Sequence, residues 1–74
     1  MNIYSKPNCP NCEIVKSQCA LRGIAFTEIV LDSEDKIKMF KALHANVRAV
    51  PFVTHDDGTV IGGFSKFKEY LRTL

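Results

Sequence analysis

The chain has 74 residues, enough for one small hydrophobic core, and we expect residues 1–74 to form a single domain. Ten basic and eight acidic side chains leave a net charge of +2, too small to indicate a nucleic-acid partner, and 46% hydrophobic content favours a globular fold over disorder. No apolar run is long enough to cross a bilayer and the N-terminus shows no leader pattern, so we expect a cytoplasmic protein without a membrane partner.

A short apolar strand at the N-terminus leads into Ser5-Lys6-Pro7-Asn8-Cys9-Pro10-Asn11-Cys12, after which helical spacing begins. Cys9 falls at the N-cap of this helix, Pro10 in the first turn, where a missing N–H has no cost, and Cys12 one turn further on. The helix N-terminus favours an anion, and Lys6 adds a cation. We therefore expect a lowered pKa for the Cys9 thiol and dithiol exchange in which Cys12 resolves the mixed disulfide.

The helix is predicted to span residues 10–22, because Gly23 readily takes the left-handed conformation at a helix end. Its spacing predicts a buried face of Cys12, Val15 and Cys19, flanked by Ile14 and Leu21. Residues 24–31 are rich in β-branched and aromatic side chains, which is typical of a strand. This strand-helix-strand succession indicates a right-handed βαβ unit.

A second helix is predicted from the capping and acidic residues 32–35 to about residue 45, and residues 46–49 form a loop. Its apolar stripe consists of Ile37, Phe40 and either Leu43 or His44. Residues 50–61 are typical of a hairpin that turns at Asp56-Asp57-Gly58.

A last helix follows the glycine pair at residues 62–63, and Ser65 is the predicted cap. Helical spacing predicts a packed face of Phe67, Tyr70, Leu71 and Leu74. The resulting order, β-α-β-α-β-β-α, predicts an α/β fold with a mixed four-stranded sheet and helices on both faces. An odd count of three cysteines fits a secreted disulfide framework poorly, so the close pair indicates redox or metal chemistry.

Three pieces of the sequence together resemble the glutaredoxins, which have a thioredoxin-like fold, and the resemblance covers essentially the whole chain. They are Tyr4-Ser5-Lys6 before Cys9-Pro10-Asn11-Cys12, then Val50-Pro51, then Ile61-Gly62-Gly63-Phe64. A lone C-x-x-C pattern is a weak signal, whereas the three pieces in this order are specific. The resemblance implies a monomeric dithiol oxidoreductase that binds no cofactor, takes electrons from glutathione, and reduces protein disulfides and glutathione mixed disulfides, with ribonucleotide reductase as one candidate partner.

The resemblance also implies roles for individual residues. Cys9 and Cys12 would be the catalytic pair, and a cis bond before Pro51 would turn the Val50 backbone toward the substrate. Lys6 would meet a glutathione carboxylate. The other residues expected to bind glutathione are Asn11, Gly63, Phe64 and Ser65, with Tyr4, Pro10 and Gly62 as structural support.

Two positions depart from the family pattern. Asn11 stands where many glutaredoxins have tyrosine, and Ser65-Lys66 stands where many have an acidic residue that holds the glutathione amino group. A related group of small redoxins, reduced directly by thioredoxin reductase, shares the Gly63-Phe64 pattern and is the alternative enzyme class. The Gly62-Gly63 pair and the absence of tryptophan favour the glutaredoxins.

Outside the enzyme class, the cysteine pair is also compatible with a zinc or iron–sulfur binding module. A tetrahedral zinc site needs four ligands, and the further candidates in this chain are Cys19, His44 and His55. Cys19 is better explained as a small core residue, given its spacing from Cys12 and Val15. Tyr4 has two open interpretations, as part of the active cleft or as an ordinary strand residue.

Overall fold

The structure, a computed structural model, describes residues 1–47 and 49–74 and confirms the predicted order of elements. Its strands and helices are β1 (Asn2–Ser5), α1 (Pro10–Leu21), β2 (Thr27–Val30), α2 (Glu34–Leu43), β3 (Phe52–Thr54), β4 (Val60–Gly62) and α3 (Phe64–Arg72). The predicted loop over residues 46–49 includes Arg48, which lies outside the described residues.

The four strands form one mixed sheet in the order β2-β1-β3-β4. β1 is parallel to β2 and antiparallel to β3, and β3 and β4 form the predicted hairpin. Tyr4 of β1 is paired with Phe52 of β3. The end of β1 and the start of β3 therefore lie at the same edge of the sheet, which brings the segment before Cys9 close to Pro51.

One face of the sheet is covered by α1 and α3. The buried cluster on this face consists of Ile3, Val15, Cys19, Val53, Phe67 and Leu71. These side chains come from β1, α1, β3 and α3, so their burial fixes both helices on the central strands. The predicted inner face of α1 is confirmed, because Cys12, Val15 and Cys19 are its buried residues.

The opposite face is covered by α2 and is aromatic. The ring of Tyr4 lies 4.8 Å from that of Phe40 and 6.2 Å from that of Phe52, measured between centroids. The ring of His44 lies 4.8 Å from that of Phe52. Tyr4 thus packs beneath α2 as a strand residue. Of the two residues predicted as alternatives for the apolar stripe of α2, His44 packs inward, whereas Leu43 is 70% exposed.

Several predicted positions differ from the structure. Leu21 and Leu74 are 80% and 65% exposed, because the sheet is too small to cover residues at the far ends of α1 and beyond α3. β2 begins at Thr27, where pairing with Asn2 of β1 starts, and not at residue 24.

The predicted cap of the last helix is also wrong. Ser65 lies inside the first turn of α3, and Gly63 is the N-cap, without a side-chain hydrogen bond. In the part of the chain that the structure describes, no helix combines the length and apolar character that crossing a membrane requires.

Candidate active site

The dithiol lies where the loop after β1 enters α1. Asn8 adopts a left-handed backbone conformation, φ 57°, and turns the chain so that Cys9 takes the N-cap position. The Cys9 Sγ accepts a hydrogen bond of 3.2 Å from the backbone N–H of Cys12, and Pro10 begins the helix. An N–H directed at this sulfur stabilises a thiolate more than a thiol, so the local geometry supports the predicted role of Cys9.

Cys9 and Cys12 form a disulfide, with their Cα atoms 5.3 Å apart. Cys9 is 7% exposed and Cys12 is 1% exposed. Cys9 is therefore the more accessible of the two sulfurs. This asymmetry matches the predicted division of roles, in which Cys9 meets the substrate and Cys12 resolves the mixed disulfide.

Two other predicted segments meet beside this junction. The peptide bond between Val50 and Pro51 is cis, as the family resemblance implied. A Cβ atom added to Gly63 would lie 3.7 Å from the carbonyl oxygen of Pro51, so the start of α3 is in direct contact with the start of β3. The three sequence pieces that carry the resemblance thus come together in the folded chain.

The backbone requires glycine at position 62, one of the residues expected to give structural support. Gly62 has φ +128°, a conformation that residues with a side chain rarely adopt, and an added Cβ would lie 2.7 Å from the Cβ of Lys66. The backbone conformation and the contact with α3 are therefore sufficient to require glycine here, without a ligand.

A cavity of about 200 Å³ lies between the end of β1, α2 and the segment that leads into β3. Lys6 and Val50, two of the predicted glutathione contacts, both line it. Lys41, which was not among the predicted site residues, lines the same cavity from α2. Its position one turn after Ile37, another lining residue, is the signal that could have found it.

A polar network beneath α1 is a second feature that was not predicted from the sequence. The buried Ser5 hydroxyl donates to Glu28 Oε2 over 2.8 Å, and Lys16 Nζ lies 2.9 Å from the same oxygen. Lys16 Nζ also donates to Glu13 Oε1 over 2.8 Å. The hydrogen bond with Lys16, and to a smaller extent that with Ser5, lowers the pKa of Glu28. The carboxylates of Glu13 and Glu28 in turn raise the pKa of Lys16. The network connects β1, β2 and α1 one turn beyond Cys12.

The remaining predicted residues occupy different surroundings. Asn11 and Ser65 are exposed near the helix N-termini, and Phe64 is partly buried. Cys19 is fully buried, and this burial raises the pKa of its thiol. His44 packs on Phe52, and the ring centroid of His55 lies 5.4 Å from that of Tyr70. Over residues 1–47 and 49–74, no three His, Cys, Asp or Glu side chains come together as a metal site would require.

Comparison with known proteins places this chain in a family. A family model described as the N-terminal domain of glutathione S-transferase matches residues 3–73. Glutaredoxin-like protein NrdH from Lactococcus lactis subsp. cremoris is 37% identical over 57 residues, which cover 77% of this chain and 78% of the relative. The chain belongs to the glutaredoxin-like family of thioredoxin-fold proteins. The protein of the same name from Lactococcus lactis subsp. lactis is equally similar, with 37% identity over 57 residues.

Solved structures agree with this assignment. Glutaredoxin 1 from Francisella tularensis, solved in complex with cacodylate, superposes with a TM-score of 0.80 at 26% identity, covering 97% of this chain and 91% of its own. A thioredoxin-like protein superposes with a TM-score of 0.76 at 25% identity, covering 99% and 97%. With its Cys9–Cys12 pair at the helix N-terminus, this glutaredoxin-like protein is a thiol–disulfide oxidoreductase.

Proposed function

We propose that this protein is a dithiol glutaredoxin that reduces protein disulfides and glutathione mixed disulfides, with glutathione as its reductant and no resident cofactor. The observation that carries the proposal is the position of Cys9. Cys9 is the N-cap residue of α1 and the more exposed of the two cysteines. Lys6 and Val50 line a cavity at the same edge of the sheet.

The reaction proceeds by four thiol–disulfide exchanges, two that reduce the substrate and two that regenerate the dithiol. The Cys9 thiolate attacks a substrate disulfide, forms a mixed disulfide and releases one substrate thiolate. The Cys12 thiolate then attacks Cys9 Sγ, which releases the second substrate thiol and leaves the Cys9–Cys12 disulfide. One glutathione thiolate opens this disulfide at Cys9, and a second releases oxidised glutathione, so two electrons pass from two glutathione molecules to the substrate.

In this proposal the cavity at Lys6 holds the glutathione carboxylate. Lys41 supplies a second ammonium group in the same cavity, and the intervening wall is apolar, with Ile37 and Phe40 among its residues. The Val50 backbone contacts the tripeptide as a neighbouring strand would. A protein disulfide such as that of ribonucleotide reductase would enter by the same edge, which makes that enzyme a candidate electron acceptor.

One observation favours a second candidate, a redoxin reduced directly by thioredoxin reductase. The first turn of α3 contains no acidic residue, and Lys66 is exposed there. A glutathione amino group at this helix end would therefore meet a cation and the positive end of the helix dipole instead of a carboxylate. This arrangement weakens recognition of the γ-glutamyl end without affecting the dithiol.

The deciding experiment is NADPH oxidation coupled to the reduction of hydroxyethyl disulfide. One arm contains glutathione and glutathione reductase, the other thioredoxin reductase alone, and the Cys9→Ser variant controls for background in both. We expect turnover in the glutathione arm. Turnover confined to the thioredoxin reductase arm would replace the proposal with the second candidate, and inactivity in both arms would refute both.

A further inference from the structure

A groove of about 410 Å³ lies between α1 and α3, on the face of the sheet opposite α2. Its apolar wall includes Ile14, which is 45% exposed, together with Phe64 and Leu71. Phe64 follows Gly63, the residue in contact with Pro51, and Ile14 lies two residues beyond Cys12. One end of the groove therefore adjoins the active site, and the groove extends away from it along both helices.

The groove is positively charged. Arg22, Lys68 and Arg72 line it, and within the described residues no acidic side chain does. The single acid of α1, Glu13, is paired with Lys16, and the single acid of α3, Glu69, lies 3.6 Å from Lys66. Glu69 also lies beside Lys68 and Arg72 at the neighbouring surface, but within the described residues none of the three groove cations has an acidic side chain within salt-bridge distance.

Two of the three cations, Arg22 and Lys68, are also held in place. Arg22 Nη1 donates to the carbonyl oxygen of Leu71 over 3.3 Å, and Lys68 Nζ lies 5.3 Å from the ring centroid of Phe64. These contacts keep the two charged groups beside the apolar wall. A ligand would therefore meet fixed positive charge and exposed apolar surface together, which a carboxylate-rich segment with interspersed apolar side chains would complement.

We propose that this α1–α3 groove docks an acidic, amphipathic polypeptide segment of the protein that exchanges disulfides with Cys9. The proposal rests on the proposed function and extends it, because it assigns protein partners a binding surface that glutathione does not use. From Ile14 to Arg22, α1 rises about 12 Å, at 1.5 Å per residue. Glutathione, whose three residues extend to about 10 Å, cannot bond to Cys9 and also reach the far end of the groove.

The test uses synthetic peptides as probes of the groove. Each carries one cysteine joined to 2-nitro-5-thiobenzoate, a glycine pair as spacer, and six residues of either alternating glutamate and leucine or alternating lysine and leucine. Both sets are made with the cysteine at either end. Attack of Cys9 on the peptide sulfur releases the coloured aromatic thiolate, and Cys12 then releases the peptide, so a single turnover of reduced protein needs no glutathione and no reductase.

We expect the glutamate peptide to react about tenfold faster than the lysine peptide at low ionic strength, with the difference shrinking as salt is added. The double variant Lys68→Glu/Arg72→Glu should abolish this preference. Lys36→Glu/Lys38→Glu on α2 changes the net charge equally but leaves the groove intact, and it should retain the preference. Loss of the preference in both variants, or in neither, would overturn the proposal.

A small probe without a peptide segment separates this proposal from the function on which it rests. The same aromatic mixed disulfide of cysteine ethylamide has no segment to dock, so all variants should reduce it at the wild-type rate. If the wild type reduces the small probe but shows no preference between peptides, the docking groove is wrong and the dithiol chemistry stands. If the wild type fails to reduce the small probe, the proposed function itself is wrong.

Discussion

The two faces of the sheet differ in what covers them and in how tightly they pack. The face under α1 and α3 is closed by aliphatic, cysteine and phenylalanine side chains, none of them more than 6% exposed, and it holds the helix that positions Cys9. The face under α2 is packed by rings, and beside them a cavity of about 200 Å³ opens near Lys6.

The difference separates two requirements of a thiol exchange enzyme. The sulfurs need a fixed helix N-terminus, because the stabilisation of a thiolate depends on the direction of nearby N–H groups. The substrate needs space beside them, and a face covered by a single helix can leave that space. Changes in the buried cluster of the first face should therefore alter chemistry or stability, and changes beside the cavity should alter substrate binding.

The largest expected effect comes from the dithiol itself. Cys9→Ser should abolish turnover with every substrate, because the attacking thiolate is lost. Cys12→Ser should retain reduction of glutathione mixed disulfides and lose reduction of protein disulfides, measured by the coupled NADPH assay. Cys19→Ala is the control and should remain active, since that thiol is fully buried. The reverse pattern for Cys9 and Cys12 would mean that the nucleophile is wrongly assigned.

The next effect is on stability and compares one phenylalanine from each face. Phe67→Ala should lower the free energy of unfolding by about 3–5 kcal/mol, because the ring is 1% exposed within the closed face. Phe40→Ala should cost less, about 3 kcal/mol. The Phe40 ring borders the cavity, so neighbouring side chains can move into the space that the ring leaves. Urea denaturation of both oxidised proteins measures the difference. A larger cost for Phe40→Ala would contradict the contrast between the faces.

A smaller effect concerns the cavity. Lys41→Ala should raise the KM for glutathionylated substrates about threefold, consistent with the loss of one exposed charge contact, and leave kcat and stability nearly unchanged. Lys38→Ala, on the same helix but outside the cavity lining, serves as the matched control. Steady-state kinetics of both variants measure the two KM values. An equal change in both variants would show that general charge, and not the cavity, determines binding.

The smallest effect is the pH dependence of the network under α1. Because Lys16 and Ser5 lower the pKa of Glu28 in the folded state, the stabilisation from this carboxylate is present above its unfolded pKa of about 4.3. It is lost as the pH falls from there through the folded pKa. Glu28→Gln should therefore be less stable than the wild type at pH 7, with the difference shrinking below about pH 4. A constant difference in urea midpoints between pH 3 and pH 7 would exclude this linkage.

Much of the fold follows from signals that are local in the sequence. The cysteine pair lies at the predicted strand-to-helix junction, Gly23 ends the first helix with φ +68°, and Gly58 turns the hairpin with φ +90°. Each feature depends on a few neighbouring residues and on backbone preferences that act before any tertiary contact forms. The order of elements could therefore be predicted, and with it the identity of the two reactive cysteines.

The tertiary structure decided which side chains meet across the sheet. Tyr4 packs beneath α2, Leu74 stays exposed despite its helical spacing, and Lys41 joins Lys6 at the cavity. Glu28, from β2, meets Ser5 and Lys16 because the parallel pairing of β1 with β2 places it under α1. Periodicity gives the direction of a side chain relative to its own element, whereas these contacts depend on strand register and on how far each helix covers the sheet, which no single segment encodes.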